Sequence, residues 1–332
     1  MLTQFKSFAM MLLATGAMFT ACNNEIEEIA IEAQPEAVTR AYGDKTPKVV
    51  AYIEVNDTNP LNAGSYMMDG KAFFDIVEIF APNIRKDADG DPAVWFNDNV
   101  TCIMNDVDKY IRPLQAKGIK VVLTMLGDHA GIGFANLTDA QVEIYTDILT
   151  YVVNHYGVDG IGFDDEYADY STSLISGSFG KIITSLRAKI GDDKLITVFQ
   201  WGNYLSSQIN AAAGAEIDFA YPGNFGASTF VSSSSIAGVT NAQWSPMALN
   251  LRSASTYLSL STIQSNAQKA ANGGYGAIMT YDLRIASERN PLTALQRIGL
   301  GAFKKTVTYD GNAYTKDWTP GAGMLITKND IN

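Results

Sequence analysis

Three acids stand together in one short stretch, Asp164, Asp165 and Glu166, directly after the apolar run Gly160-Ile161-Gly162-Phe163. A strand alternates its side chains, so Gly162, Asp164 and Glu166 would point one way and Phe163 and Asp165 the other. Two carboxyls two residues apart on one face interact. Their repulsion raises one proton affinity and keeps one group protonated near neutral pH. Such a group can protonate a leaving oxygen as a general acid. Spacing alone fits equally well an acidic, solvent-facing loop after a strand.

Elements that could position these acids follow from the hydrophobic pattern. Strand-like runs fall at 49–54, 76–80, 119–125, 160–164, 195–199 and 217–221, with a weak one at 243–249 and a last one at 276–281. Short continuous apolar runs suit strands buried on both faces of a parallel sheet. Between them, the spacing of Val100, Ile103, Met104, Val107, Tyr110, Ile111 and Leu114 predicts a helix over 100–115, stopped by Lys117-Gly118. Thr138 is placed as the N-cap of another, whose apolar face carries Ile144, Ile148, Val152 and Val153. Eight strands with intervening helices over roughly 285 residues match an α/β fold of the (β/α)8 TIM-barrel kind, a single domain over 47–332. An open doubly wound sheet fits less well, because no Gly-rich phosphate turn follows the first strand. In a barrel, active sites sit at the C-terminal ends of strands, where the acids of the fourth run fall.

The segment Asp159-Gly160-Ile161-Gly162-Phe163-Asp164-Asp165-Glu166 resembles the Asp-x-x-Asp-x-Asp-x-Glu signature of glycoside hydrolase family 18. Continued to Tyr170, it resembles the bacterial endo-β-N-acetylglucosaminidases of the endoglycosidase H and F type. So do Ala51-Tyr52-Ile53-Glu54-Val55-Asn56, Ile111-Arg112-Pro113-Leu114-Gln115, and Leu126-Gly127-Asp128-His129 with Gly133-Phe134-Ala135-Asn136. The likeness covers residues 48 to 303. It implies a substrate-assisted retaining mechanism, an exception to the usual two-carboxylate scheme. Glu166 would protonate the oxygen between two N-acetylglucosamines, and the sugar's own 2-acetamido oxygen would attack the anomeric carbon. Asp164 would hold the acetamido N–H and stabilise the oxazolinium-like intermediate, and Glu166 would then act as base for water. The implied substrate is the chitobiose core of an N-linked glycan, cleaved to leave one sugar on the protein.

Two departures from that family stand out. Gly162 replaces an inward aspartate beneath Asp164, which removes its proton-sharing partner and leaves space that water could fill. The sixth strand runs into Tyr221-Pro222-Gly223-Asn224-Phe225-Gly226 in place of the loop whose tyrosine contacts the acetamido oxygen. Phe225 can pack on sugar but lacks a hydroxyl. Asn224 could donate a hydrogen bond instead, and Tyr221 is a further substitute. Both losses favour a second reading, a surface glycan-binding lipoprotein with weak or no turnover, against which the retained Asp164 and Glu166 count. A chitinase acting on free polymer is a third.

Other rim positions carry two readings each. Glu54 ends the first strand and either lines the pocket or pairs with a cation. His129 either contacts sugar or satisfies a loop carbonyl. Gln200 and Trp201 follow the fifth strand as candidate sugar contacts, and Trp201 suits either sugar stacking or the core. Tyr281, after the eighth, is a subsite candidate. Trp95 and Trp244 read as packing residues.

The chain's start reads as an export signal over 1–21, with Lys6 followed by an apolar run from Phe8 to Ala21 that is too short to span a bilayer comfortably. Phe19-Thr20-Ala21-Cys22 resembles a bacterial lipobox and implies lipidation of Cys22. Residues 22–46 are polar and acidic and suit a flexible tether. The expected setting is therefore a lipid-anchored protein, outer-membrane and cell-surface, of a Gram-negative bacterium. Cys102, the other cysteine, reads as a small buried hydrophobe. His129 and His155, the two histidines, make no metal-ligand cluster, so no metal or cofactor is expected. The formal charge of −11 argues against nucleic acid as partner. A glycan or glycoprotein fits better, with a monomer as the expected state.

Overall fold

The structure is a computed structural model and describes residues 45–170, 173–202, 204–224, 230–251, 258–284 and 291–331. The proposed signal, Cys22, most of the tether and Phe225 lie outside the described residues. Eight parallel strands are β1 (Lys48–Glu54), β2 (Ile76–Lys86), β3 (Lys120–Leu126), β4 (Gly160–Asp164), β5 (Leu195–Gln200), β6 (Phe219–Pro222), β7 (Ala248–Asn250) and β8 (Ala277–Tyr281). They are hydrogen-bonded in the order β7-β8-β1-β2-β3-β4-β5-β6. Between β6 and β7 the pairing is reduced to one parallel bridge, Ala220 with Trp244. The barrel is thus not closed by a full ladder at that seam. Pro246 sits between Trp244 and β7 and has no N–H to give a ladder, which splits the weak seventh run into a bridge and a short strand.

Two expectations about elements are corrected. The strand read at 76–80 continues to Lys86, because its outer end pairs antiparallel with Pro92–Phe96, a strand that Met324–Ile326 covers in turn. The helix read at 100–115 is three pieces: α1 (Asp98–Asn105), then Val107–Tyr110 and Arg112–Ala116. Asp106 leaves helical geometry at φ −131°, ψ 56°, and Pro113, with no N–H, stands in the first turn of the last piece, where that loss is tolerated. The helix opened by Thr138 is α2 (Asp139–Tyr156), with a full capping box between Thr138 and Gln141 and a left-handed Gly157 ending it at φ 62°. The remaining long helices are α3 (Ser178–Ile190), α4 (Leu260–Asn272) and α5 (Pro291–Ile298).

Alternation along the strands separates two apolar regions. Val49, Ala51, Ile53, Val77, Ile79, Val121, Leu123, Ile161 and Phe163 face the helices. Val50, Tyr52, Ile76, Val122, Leu195, Phe199, Phe219, Tyr221, Ala277 and Met279 fill the barrel's interior. The same inward positions also carry Glu78, Thr124, Gly162 and Thr197, so the interior is polar midway up.

Candidate active site

Asp164 is the last residue of β4, and Glu166 follows two residues on. Both line one cavity of about 430 Å³ with Tyr52, Glu54, Phe80, Asn83, Asn97, Leu126, Tyr167 and Tyr281. All of these come from the C-terminal ends of β1, β2, β3, β4 and β8 or from segments that follow them. The volume lies within the range of about 300–1,000 Å³ usual for small-molecule sites. A larger cavity of about 840 Å³ lies at the opposite, N-terminal end of the barrel. Its carboxylates are tied to lysines, Asp75 to Lys45 and Asp69 to Lys305, and no acid pair converges there.

The two acids differ in burial. Asp164 is only 1% exposed. Burial is the main cause that pushes its carboxyl well above the ordinary range, with repulsion from Glu166 next. The Glu166 backbone N–H donates to Asp164 Oδ1 at 3.2 Å and partly offsets this. Glu166 is half-buried, and burial raises its proton affinity too, while a hydrogen bond from Tyr167 lowers it. Desolvation therefore outweighs the mutual repulsion read from spacing. The result has the same use: an acid able to hold its proton beside an open cavity.

The surrounding turns explain why these side chains stay put. Arg112 donates to the carbonyls of Tyr156 (2.7 Å) and Gly157 (2.9 Å). Gln115 donates to Gly157 (2.9 Å) and to Asp159 (2.7 Å), and Asp159 in turn accepts from the Val121 N–H at 2.9 Å. The Ile111-to-Gln115 motif thus clamps the approach to β4. Beyond the strand, Asp165 points outward and accepts from Tyr170 (2.6 Å) and Tyr204 (2.7 Å). A Cβ at Gly133 would lie 2.5 Å from the Tyr170 hydroxyl and 2.8 Å from Asp165, and one at Gly127 would lie 2.2 Å from the Ala168 nitrogen. Only glycine lets the loop after β3 pack this closely on the loop that carries Glu166.

No family model matches the sequence. An endo-β-N-acetylglucosaminidase of Flavobacterium sp. (strain SK1022) is 37% identical over 259 residues, 75% of this chain and 78% of that protein. The chain belongs to the endo-β-N-acetylglucosaminidases of glycoside hydrolase family 18. Endo-β-N-acetylglucosaminidase F1 of Elizabethkingia meningoseptica is 30% identical and matches 94% of the chain and 96% of its own length. Among solved structures, Bacteroides thetaiotamicron EndoBT-3987 with Man5GlcNAc product superposes with a TM-score of 0.70 at 28% identity, covering 85% of this chain and 66% of that one.

Within this endoglycosidase the other residues singled out from sequence have distinct placements. Glu54 does both things read for it: it lines the cavity and pairs with Arg284 at 2.8 Å, a guanidinium that also holds Asp57 and Asp282. Tyr281 lines the cavity. His129 is exposed at φ 49°, its N–H donates to the Tyr167 carbonyl at 2.7 Å, and its ring lies 5.3 Å from that of Tyr167. It supports a cavity residue and does not line the cavity itself. Gln200 is turned to the 230s loop, where its side-chain oxygen accepts from the Ser234 hydroxyl and the Ser235 N–H. Trp201 is 37% exposed and stacks on Phe199 with rings 6.3 Å apart. Asn224 is exposed. Tyr221 does not reach the cavity; it is buried beneath, edge-on to Tyr52, with its hydroxyl on Glu78. Trp244 is fully buried, as a packing residue should be. Cys102, read as buried, is partly exposed, its thiol directed at the Thr319 carbonyl.

The space expected at Gly162 is not open. A Cβ there would meet Glu78 Oε2 at 2.7 Å, Thr197 Oγ1 at 2.7 Å and Thr124 Oγ1 at 3.0 Å. A carboxyl from β2 occupies it. The signal was present in the sequence: Glu78 is a lone acid inside the apolar run Ile76-Val77-Glu78-Ile79-Phe80. Asn83, Asn97 and Tyr167 also line the cavity and carried no comparable signal.

Proposed function

We propose that this chain hydrolyses the GlcNAc-β-1,4-GlcNAc bond in the chitobiose core of N-linked glycans by a substrate-assisted retaining reaction. The observation that carries this reading is the convergence of Asp164 and Glu166 on one cavity at the C-terminal mouth of the barrel. Glu166, at the open end, gives its proton to the glycosidic oxygen. The 2-acetamido oxygen attacks the anomeric carbon, and Asp164, deeper, receives the acetamido N–H as positive charge develops. Water then opens the ring with Glu166 as base. EndoBT-3987 has also been solved in complex with Man9GlcNAc2Asn substrate, which supports an asparagine-linked glycan as the class bound here. Tyr281 and Tyr167 at the cavity, and Trp201 at the rim, supply hydroxyl and aromatic surface for the sugar.

Incubating the chain with a high-mannose glycoprotein tests the reading. A mass loss that leaves a single N-acetylglucosamine is expected, abolished by Glu166→Gln. Binding without cleavage, equal in both proteins, would select the glycan-binding alternative. That alternative drew on Gly162 as a lost carboxyl, and Glu78 in the same space weakens it. We further propose that Cys22 carries lipid and holds a monomeric enzyme at the outer membrane, with 22–46 as its tether. Radiolabelled palmitate incorporation that is lost in Cys22→Ser is the expected result.

A further inference from the structure

Beneath the cavity sits one carboxyl that the reaction above does not use. Glu78 is completely buried. Its oxygens accept from Thr124 Oγ1 of β3 at 2.7 Å, Thr197 Oγ1 of β5 at 2.8 Å and the Tyr221 hydroxyl of β6 at 3.2 Å. From β1 the Tyr52 hydroxyl adjoins it, and from β4 it is flanked by Gly162 and, one inward position higher, Asp164. Among the described residues, no lysine or arginine bears on its charge. The hydroxyls pull its proton affinity down, yet burial pushes it up to about 7. Glu78 also adds to the rise at Asp164. Two carboxyls this deeply buried on neighbouring strands cannot both be ionised cheaply, which favours one proton held across the two.

We propose that Glu78 is a positioning residue for the endoglycosidase reaction, sharing one proton with Asp164 and taking it when Asp164 ionises against the sugar. The O–H bond at Asp164 breaks and one forms at Glu78, with a single anion before and after and no outside donor. The Tyr52 hydroxyl is buried close enough to both carboxyls for each to raise its own proton affinity, with Thr124 as its hydroxyl neighbour. Asp164 can then enter the reaction neutral and become charged only as the sugar does. The glycine at 162 is what gives a side chain from another strand room to do this.

The inference rests on the activity proposed above, so its test has a readout independent of turnover. In Glu78→Gln the shape and most hydrogen bonds remain but the exchangeable proton is gone. We expect kcat to fall about 100-fold with KM little changed, and the acid limb of the pH profile to move down by about one unit, because the acid that raises Asp164 is gone. Moving the carboxyl back to β4, as Glu78→Ala with Gly162→Asp, should recover at least ten-fold over Glu78→Ala alone, and a thermal melt shows which variants fold. Carboxyl carbon NMR reads the same coupling with no substrate, as a changed Asp164 titration in Glu78→Gln. An unchanged Asp164 titration overturns the inference. So does wild-type kcat with an unmoved profile in a folded Glu78→Gln. A wild-type chain that cleaves no glycan while the Asp164 titration does shift defeats the activity and leaves the pairing standing.

Discussion

Asp164 and Asp165 are neighbours in sequence and opposites in the fold. Asp164 points into the barrel, where its surroundings are Glu166, Glu78, the buried Tyr52 hydroxyl and an open cavity. Asp165 points out and is sealed by Tyr170, Tyr204 and the Phe134 N–H at 3.4 Å. Burial raises both carboxyls. At Asp165 three donors pull the other way and leave it at about 6, whereas at Asp164 further acids add to the rise. One acid is kept reactive by what it lacks, and the other is made structural by what it is given.

Substitutions along this strand end should break or sharpen that contrast. Glu166→Gln removes the proton donor and should lower kcat/KM by about 1,000-fold, with little change in melting temperature. Asp164→Asn keeps the shape but not the charge that faces the developing cation, and a loss of about 100-fold in kcat is expected, again in a stable protein. Asp165→Asn should show the reverse pattern. One tyrosine donor loses its acceptor, which costs about 1–2 kcal/mol of stability by urea unfolding, and turnover should fall by less than for either inward acid. If Asp165→Asn is as inactive as Asp164→Asn, the division into reactive and structural faces is wrong.

The pH dependence of stability sharpens the same point. Asp165 has its folded value raised to about 6 from 3.8. Between those limits the folded chain binds more protons than the unfolded one, so this group's contribution is full below the lower value and is lost as pH rises to the upper. Urea midpoints measured from pH 4 to 6 should therefore decline less steeply in Asp165→Asn than in wild type. The smallest effect belongs to Trp201→Ala at the rim. Losing one aromatic face should raise KM roughly five-fold and leave kcat unchanged.

Much of this was legible beforehand because it depends on local pattern. The barrel followed from eight apolar runs, and the inward direction of Gly162, Asp164 and Glu166 from strand alternation. What was missed involves contacts between strands. Gly162 read as a loss because the chain around it contains no replacement. Glu78 supplies one from 84 positions earlier, through a barrel interior that brings β2, β3, β5 and β6 to the same level. Gln200 read as a sugar contact from its place at a strand end, yet its side chain is spent on the 230s loop. Tyr221 read as a hydroxyl for the substrate, yet it is buried under the cavity on Glu78.

By itself the sequence determined the period of the strands and the face on which the acids lie, since each depends on residues a few positions apart. Tertiary structure alone decided which carboxyl stands beneath Asp164, which acid is sealed and which is open, and where the cavity lies. Those outcomes depend on desolvation and on donors from distant strands, and neither exists until the barrel has formed.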